Sequence, residues 1–82
     1  MKISYKPQGV CSRQMDIELE DGKVKNVTII GGCNGNLKGI SSLVEGMDAE
    51  DVIKRLKGIR CGFKDTSCPD QLSKALEKAL AQ

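Results

Sequence analysis

Residues 60–70 of this 82-residue chain have the sequence Arg-Cys-Gly-Phe-Lys-Asp-Thr-Ser-Cys-Pro-Asp. Within this stretch, Ser67 can cap a helix, Pro69 lacks an N–H that a first helical turn does not need, and Asp70 suits the positive end of a helix dipole. The stretch therefore predicts a helix that begins at Cys68. A cysteine at that end of a helix is favoured as the thiolate, which is the form that binds metals.

The first part of the chain predicts three strands. Residues 2–6 and 14–19 alternate between apolar and polar side chains, residues 23–30 are rich in β-branched side chains, and Asp21-Gly22 is typical of a hairpin turn. The order of the strands therefore predicts an antiparallel meander.

The third strand breaks the simple alternation. Val24 and Val27 cannot share one face of a regular strand, because side chains alternate between the two faces. We expect either a β-bulge or burial of both faces near Ile29 and Ile30.

The remainder of the chain predicts three helices. The first begins at Asn36 and ends at Gly46, and its apolar face is expected to contain Leu37, Ile40, Leu43 and Val44. The second is capped by Asp48 and ends at Gly58, and the third extends from about Cys68 to Ala81. Together these elements predict a single α+β domain, residues 1–82, in which three helices pack on one face of a three-stranded antiparallel meander.

Composition excludes several classes of function. The chain has 13 Lys and Arg and 11 Asp and Glu, and the two signs are interspersed, so no basic patch for nucleic acid is expected. Tyr5 and Phe63 are its aromatic residues, which leaves little to stack on bases. Neither a signal peptide nor a membrane span is indicated, so we expect a cytoplasmic protein without a membrane partner.

The chain contains four cysteines and no histidine. Cytosolic thiols are mostly reduced, so this number of cysteines indicates metal or redox chemistry rather than a disulfide framework. Cys33 lies in a Gly- and Asn-rich loop before the first helix, Cys61 follows the second helix and Cys68 begins the third. If these ends of helices meet, three thiolates can hold zinc or an iron–sulfur cluster. The candidates for a fourth ligand are Cys11, Asp65, Asp70 and Asn34.

Other interpretations of the same residues stay open. The paired C-x2-C spacing of a zinc knuckle does not occur, and small buried cysteines often only fill gaps in a core. Cys61 and Cys68 could instead form a thiol–disulfide pair. The glycines at 31, 32 and 35 could bind phosphate at a helix start, although a plain turn explains them better. A core this small also allows a homodimer.

The segment Thr66-Ser67-Cys68-Pro69-Asp70 spells the TSCPD motif. With Cys11, the Gly-Cys-Asn-Gly-Asn segment 32–36 and Cys61-Gly62, the chain closely resembles the small stand-alone TSCPD-domain proteins of bacteria. Similar domains are appended to adenosylcobalamin-dependent ribonucleotide reductases. The resemblance implies an accessory or interaction role with ribonucleoside-diphosphate reductase, with that enzyme as a partner, rather than reductase activity of this chain alone.

The chain also has a fainter similarity to IscU/NifU-type iron–sulfur scaffold proteins. Those proteins continue from a meander into a Gly-Cys-Gly loop and a helix with a Ser-Ser-Leu-Val-like stretch, here residues 41–44. This similarity implies that Cys33, Cys61 and Cys68 correspond to the three cluster or zinc ligands. Ser67 replaces the histidine that precedes the last cysteine in the scaffolds.

Overall fold

The structure is a computed structural model that describes residues 2–10, 12–31, 34–60, 62 and 65–81, with the side chains of 34–36 left out. The elements in chain order are β1 (Lys2–Tyr5), β2 (Ser12–Glu20), β3 (Lys23–Gly31), α1 (Asn34–Val44), α2 (Ala49–Leu56) and α3 (Cys68–Leu80). In these described ranges, three strands are followed by three helices, so the predicted α+β order is confirmed.

The three strands form one antiparallel sheet in the order β1-β2-β3. The turn between β2 and β3 uses Asp21 at φ 54° and Gly22 at φ 76°, as the sequence predicts for a tight hairpin. Met15, Ile17 and Leu19 of β2 are buried, whereas the acidic residues between them lie on the other face. One face of the sheet therefore carries the core.

A bulge at Lys25 resolves the parity problem of β3. Leu19 pairs with Val24 and Glu18 pairs with Asn26, which leaves Lys25 as an extra residue in the ladder. Because of this insertion, Val24 and Val27 both face the core and both are buried. Of the two predicted alternatives, the β-bulge is therefore the one that the strand register confirms.

A second bulge, which the sequence analysis did not predict, lies where β2 begins. Ser12 pairs with Gly31 and Gln14 pairs with Ile30, so Arg13 is the extra residue. Gly31 has φ 84°, and a Cβ on it would lie 3.3 Å from the backbone nitrogen of Arg13. The bulge turns Ser12 towards the interior, where only 3% of it is exposed.

The helices cover the inner face of the sheet. The largest helix contacts join α1 to β3 and α2 to α3, and α3 also packs against β2. The helical residues in the shared core are apolar and buried: Val44, Ala49, Val52, Leu72, Ala75, Leu76 and Ala79. The core therefore lies between β2, β3 and the helical layer.

The predicted apolar face of α1 was wrong at Leu43. Leu37 and Val44 are buried, but 75% of Leu43 is exposed. Val44 is seven residues after Leu37 and lies almost on the same side of the helix. Leu43 is six residues after Leu37 and lies about 120° away around the helix. Leu43 therefore projects from the outer side of α1.

The start of α2 is held by the β2–β3 hairpin. Asp48 is the N-cap residue as predicted, but its side chain makes no capping hydrogen bond within the described residues. Instead, Ala49 donates its N–H to the carbonyl of Gly22 at 2.9 Å, and Val24 donates to the carbonyl of Met47 at 2.9 Å. Backbone hydrogen bonds thus dock this helix start on the hairpin.

Candidate functional site

Ser67 fixes the start of α3. It has extended backbone angles, and its Oγ accepts a hydrogen bond from the Asp70 N–H at 3.1 Å, which confirms the predicted cap. The same hydroxyl donates to the Ile59 carbonyl at 2.6 Å. Ser67 therefore caps one helix and also holds the segment that follows the previous helix.

Asp70 is buried beside that cap. Its Oδ1 accepts the Gly58 N–H at 2.8 Å, and its Oδ2 accepts the hydroxyl of Thr66. These two hydrogen bonds, first that from Thr66 and then that from Gly58, lower the pKa of Asp70 against the opposing effect of burial. Lys74 adds a smaller contribution from 3.9 Å away. Asp70 is therefore a charged structural residue.

Both carboxylate oxygens of Asp70 are engaged in holding this turn together. Each of these hydrogen bonds uses one lone-pair site of a carboxylate that has about four. The expectation that Asp70 supplies a fourth ligand therefore stays a prediction. Asp65, a further candidate, is exposed, and the side chain of Asn34 lies outside the description.

Gln71 connects α3 to the beginning of the chain. Only 4% of it is exposed; its Oε1 accepts the Tyr5 hydroxyl at 3.1 Å and the Gln8 N–H at 3.0 Å. Its Nε2 donates to Thr66 Oγ1 at 3.0 Å. The role of Gln71 could not be predicted from local sequence, because its partners Tyr5 and Gln8 lie more than sixty residues away along the chain. The local sign was a polar side chain one turn before Ala75, within the apolar face of α3.

Cys68 is the first residue of α3 and is half-buried. Its Sγ lies 3.3 Å from the Oγ of Ser12, a hydrogen bond that sequence reasoning also missed. Since Ser12 pairs with Gly31, the thiol lies where β2 begins, β3 ends and α3 begins. Cys68 is therefore at a junction of three segments.

The other three predicted ligands, Cys11, Cys33 and Cys61, lie outside the described residues. Described residues close to each of them in sequence do meet near Cys68. Ser12 contacts its thiol, Gly31 pairs with Ser12, and Ile59 accepts from the adjacent Ser67. Among the described residues alone, no group of three or more Cys, Asp or Glu side chains could hold a metal ion.

The residues at this junction have two different roles. Thr66, Ser67, Asp70 and Gln71 form a hydrogen-bonded scaffold that joins the ends of three segments. Cys68 projects a soft sulfur donor from that scaffold, with a buried hydroxyl beside it. A thiol held in this way can act as a metal ligand or a nucleophile.

The sequence of this chain matches a known family of domains. The model of the TSCPD domain matches residues 2–80, which is nearly the whole chain. The chain belongs to the TSCPD-domain family. Searches of curated proteins and of solved structures gave no match, so the similarity to iron–sulfur scaffolds stays a prediction. In the described ranges of this TSCPD domain, every helix is too short or too polar to cross a membrane.

In this TSCPD domain, the residues that spell the motif serve different purposes. Ser67 caps α3, Asp70 and Thr66 hold the preceding turn, and Pro69 occupies the first turn without leaving an N–H unsatisfied. The side chain of Cys68 contacts Ser12 of β2. The motif therefore combines a structural frame with one thiol.

Proposed function

We propose that this TSCPD domain is a small cysteine-based metal-binding module. Its ligands would be Cys33, Cys61 and Cys68, with or without Cys11, and its metal would be zinc or an iron–sulfur cluster. The observation that carries the proposal is the junction at Cys68, where the sequence neighbours of the other cysteines meet.

The reach of the chain supports this ligand set. Cys11 is adjacent to Ser12, and Cys33 and Cys61 are each two residues from Gly31 and Ile59. Two residues extend at most about 7 Å, so only a short length of chain separates each of these cysteines from a residue of the junction. Ligands from separate segments are common in sites that form only in the folded chain.

The chemistry of the donors suits these metals. Sulfur ligands favour zinc and iron–sulfur clusters over hard cations such as magnesium, and the chain has no histidine to compete. The Ser12 hydroxyl can donate to a ligating Cys68 thiolate, as neighbouring groups commonly do for metal ligands. Bound zinc would crosslink three segments of a small core, whereas a cluster would also carry electrons.

Metal content tests the proposal directly. Protein without a polyhistidine tag is purified anaerobically as wild type, Cys68→Ser and Ser12→Ala, and zinc and iron are measured in each. We expect about one zinc or one cluster per chain in the wild type. Ser12→Ala keeps all four thiols and should retain the metal, whereas Cys68→Ser should lose most of it. Negligible zinc and iron in all three proteins would contradict the proposal.

A second candidate rests on the partial exposure of Cys68. An accessory domain of a ribonucleoside-diphosphate reductase could use accessible thiols for redox exchange, or could use its cysteines only for packing. Alkylation of the native protein separates these roles. Metal ligands are protected until a chelator is added, redox thiols react at once, and packing thiols react only on unfolding.

A further inference from the structure

The β-bulge at the start of β2 determines which side chains reach the junction at Cys68. In a regular strand, the alternation from the buried Met15 would turn Arg13 inward and Ser12 outward. The structure has the reverse: 3% of Ser12 is exposed and its Oγ contacts the thiol of Cys68, whereas Arg13 is exposed. β-Bulges are frequent next to functional sites, where they redirect side chains. The bulge therefore sets the positions of both Ser12 and Arg13.

Arg13 lies against the end of β3 that leads to Cys33. A Cβ added to Gly31 would be 3.3 Å from the Nε of Arg13 and 3.4 Å from its Cγ, so the arginine side chain passes over this glycine. Two residues of chain, at most about 7 Å, separate Gly31 from Cys33. Among the residues that the structure describes, Arg13 takes part in no ion pair. Its positive charge is therefore held close to the segment that carries Cys33 and is next in the chain to the residue that contacts Cys68.

We propose that Arg13 stabilises the zinc-bound state of the cysteine site by compensating its negative charge. The proposal rests on the proposed function and names a residue that controls the affinity of that site. Metal binding releases the protons of the thiols, so zinc with three thiolates carries one net negative charge and zinc with four carries two. The buried carboxylate of Asp70 lies at the same end of α3 and adds to this negative charge. A guanidinium stays protonated under these conditions and offsets it.

The size of the effect depends on salt. Screening limits the interaction of exposed charges to about 10 Å at an ionic strength of about 0.1 M and to about 3 Å at about 1 M. Loss of the Arg13 charge should therefore weaken zinc binding at the lower salt and have little effect at the higher salt. A merely structural role of Arg13 would instead lower the stability of the metal-free protein, and its effect on zinc binding would persist at high salt.

The zinc affinity of the full chain tests the proposal. Metal-free wild type, Arg13→Gln, Arg13→Glu and Arg13→Lys compete with a chromophoric chelator for zinc, anaerobically in reductant, at about 0.1 M and about 1 M salt. At the lower salt, we expect Arg13→Gln to bind zinc about threefold more weakly than wild type. Arg13→Glu changes the charge by two and should bind zinc about tenfold more weakly. Arg13→Lys keeps the charge and should retain most of the affinity.

Lys23→Gln is the matched control. Lys23 begins β3, eight residues before Gly31, which corresponds to about 25 Å along a strand and exceeds the range of its charge at about 0.1 M salt. The substitution removes the same charge as Arg13→Gln, but it should leave the zinc affinity unchanged.

The outcomes separate this proposal from the proposed function. If wild type and Arg13→Gln bind zinc equally at the lower salt, the proposal is overturned and the metal site stands. An equal loss in Lys23→Gln, or a loss that persists at the higher salt, overturns it in the same way. A wild type that binds no zinc also overturns it, and if the purified protein contains no iron either, the proposed function fails as well.

Discussion

The starts of α3 and α2 carry similar sequence signatures but are held in different ways. At α3, the Ser67 hydroxyl caps the helix and Asp70 accepts hydrogen bonds from the preceding turn. At α2, the docking is by backbone hydrogen bonds between residues 46–49 and the hairpin, including that from Ala49 to Gly22. A cap signature thus locates a helix start without identifying the interaction that stabilises it.

The difference follows from the surroundings of the two caps. Ser67 is 4% exposed, so its hydroxyl must find partners within the protein. Asp48 is exposed, and water can satisfy its carboxylate at little cost. Substitutions should therefore be costly at the first helix start and mild at the second.

The largest effect is expected for Asp70→Ala. The change leaves the N–H of Gly58 and the hydroxyl of Thr66 without their acceptor in a buried place, and we expect a loss of about 3 kcal/mol in the free energy of unfolding. Urea denaturation at neutral pH measures it, with Asp48→Ala as the matched acidic control. If the two variants are equally stable, the buried carboxylate of Asp70 stabilises the protein no more than the exposed carboxylate of Asp48 does.

The same carboxylate predicts a dependence on pH. The pKa of Asp70 is lowered in the folded protein from its ordinary value of 3.8, so its stabilising effect is complete above that value. The effect is lost as the pH falls through the lower, folded pKa. Asp70→Asn should lose less stability than the wild type over this acidic range. The pKa of Asp16 is also lowered, by hydrogen bonds from Ser4 and Gln14, and this contribution cancels in the comparison.

An intermediate effect is expected for Ser67→Ala. Without the hydroxyl, the Asp70 N–H loses its cap and the Ile59 carbonyl loses its donor, which should reduce stability by about 1.5 kcal/mol. Ser67→Thr keeps a hydroxyl and should recover most of this loss in the same denaturation measurement. If the alanine and threonine variants are equally stable, the hydroxyl is not what holds the start of α3.

The smallest effect is expected for Asp48→Ala. Because backbone groups dock the start of α2, the free energy of unfolding should change by no more than about 0.5 kcal/mol. Thermal and urea denaturation of this variant beside Ser67→Ala give the comparison in one experiment. A loss as large as that of Ser67→Ala would mean that the two helix starts depend equally on their caps.

Local sequence was enough to predict much of the fold. Four consecutive residues determine the start of α3, and the spacing of Val24 and Val27 revealed the bulge at Lys25. The bulge at Arg13 gave no such signal, because the residue that it turns inward is the polar Ser12. The alternation of apolar and polar side chains predicts a β-bulge only where apolar side chains flank the bulge on both sides.

The candidate site could be predicted only in part. The sequence identified Cys68 at a helix start, and the structure places it there, half-buried. No local feature of the sequence indicated that Ser12 would contact the thiol or that Asp70 would bind the turn at Gly58. Ser12 is 56 residues from Cys68, and Gly58 is 12 residues from Asp70. Such pairings depend on how the sheet and helices pack, which no local pattern encodes.

The hydrogen bonds from Tyr5 and Gln8 to Gln71 also affect the order in which the domain can assemble during synthesis. The hydroxyl of Tyr5 in β1 and the N–H of Gln8, which follows the strand, share an acceptor on the last helix, across 66 and 63 residues of chain. β1 can pair with β2 as soon as both strands have been made. The two hydrogen bonds to Gln71 can form only after α3 has left the ribosome, so the chain closes this long loop late. We expect the nascent domain to stay protease-sensitive until its final helix has emerged from the exit tunnel.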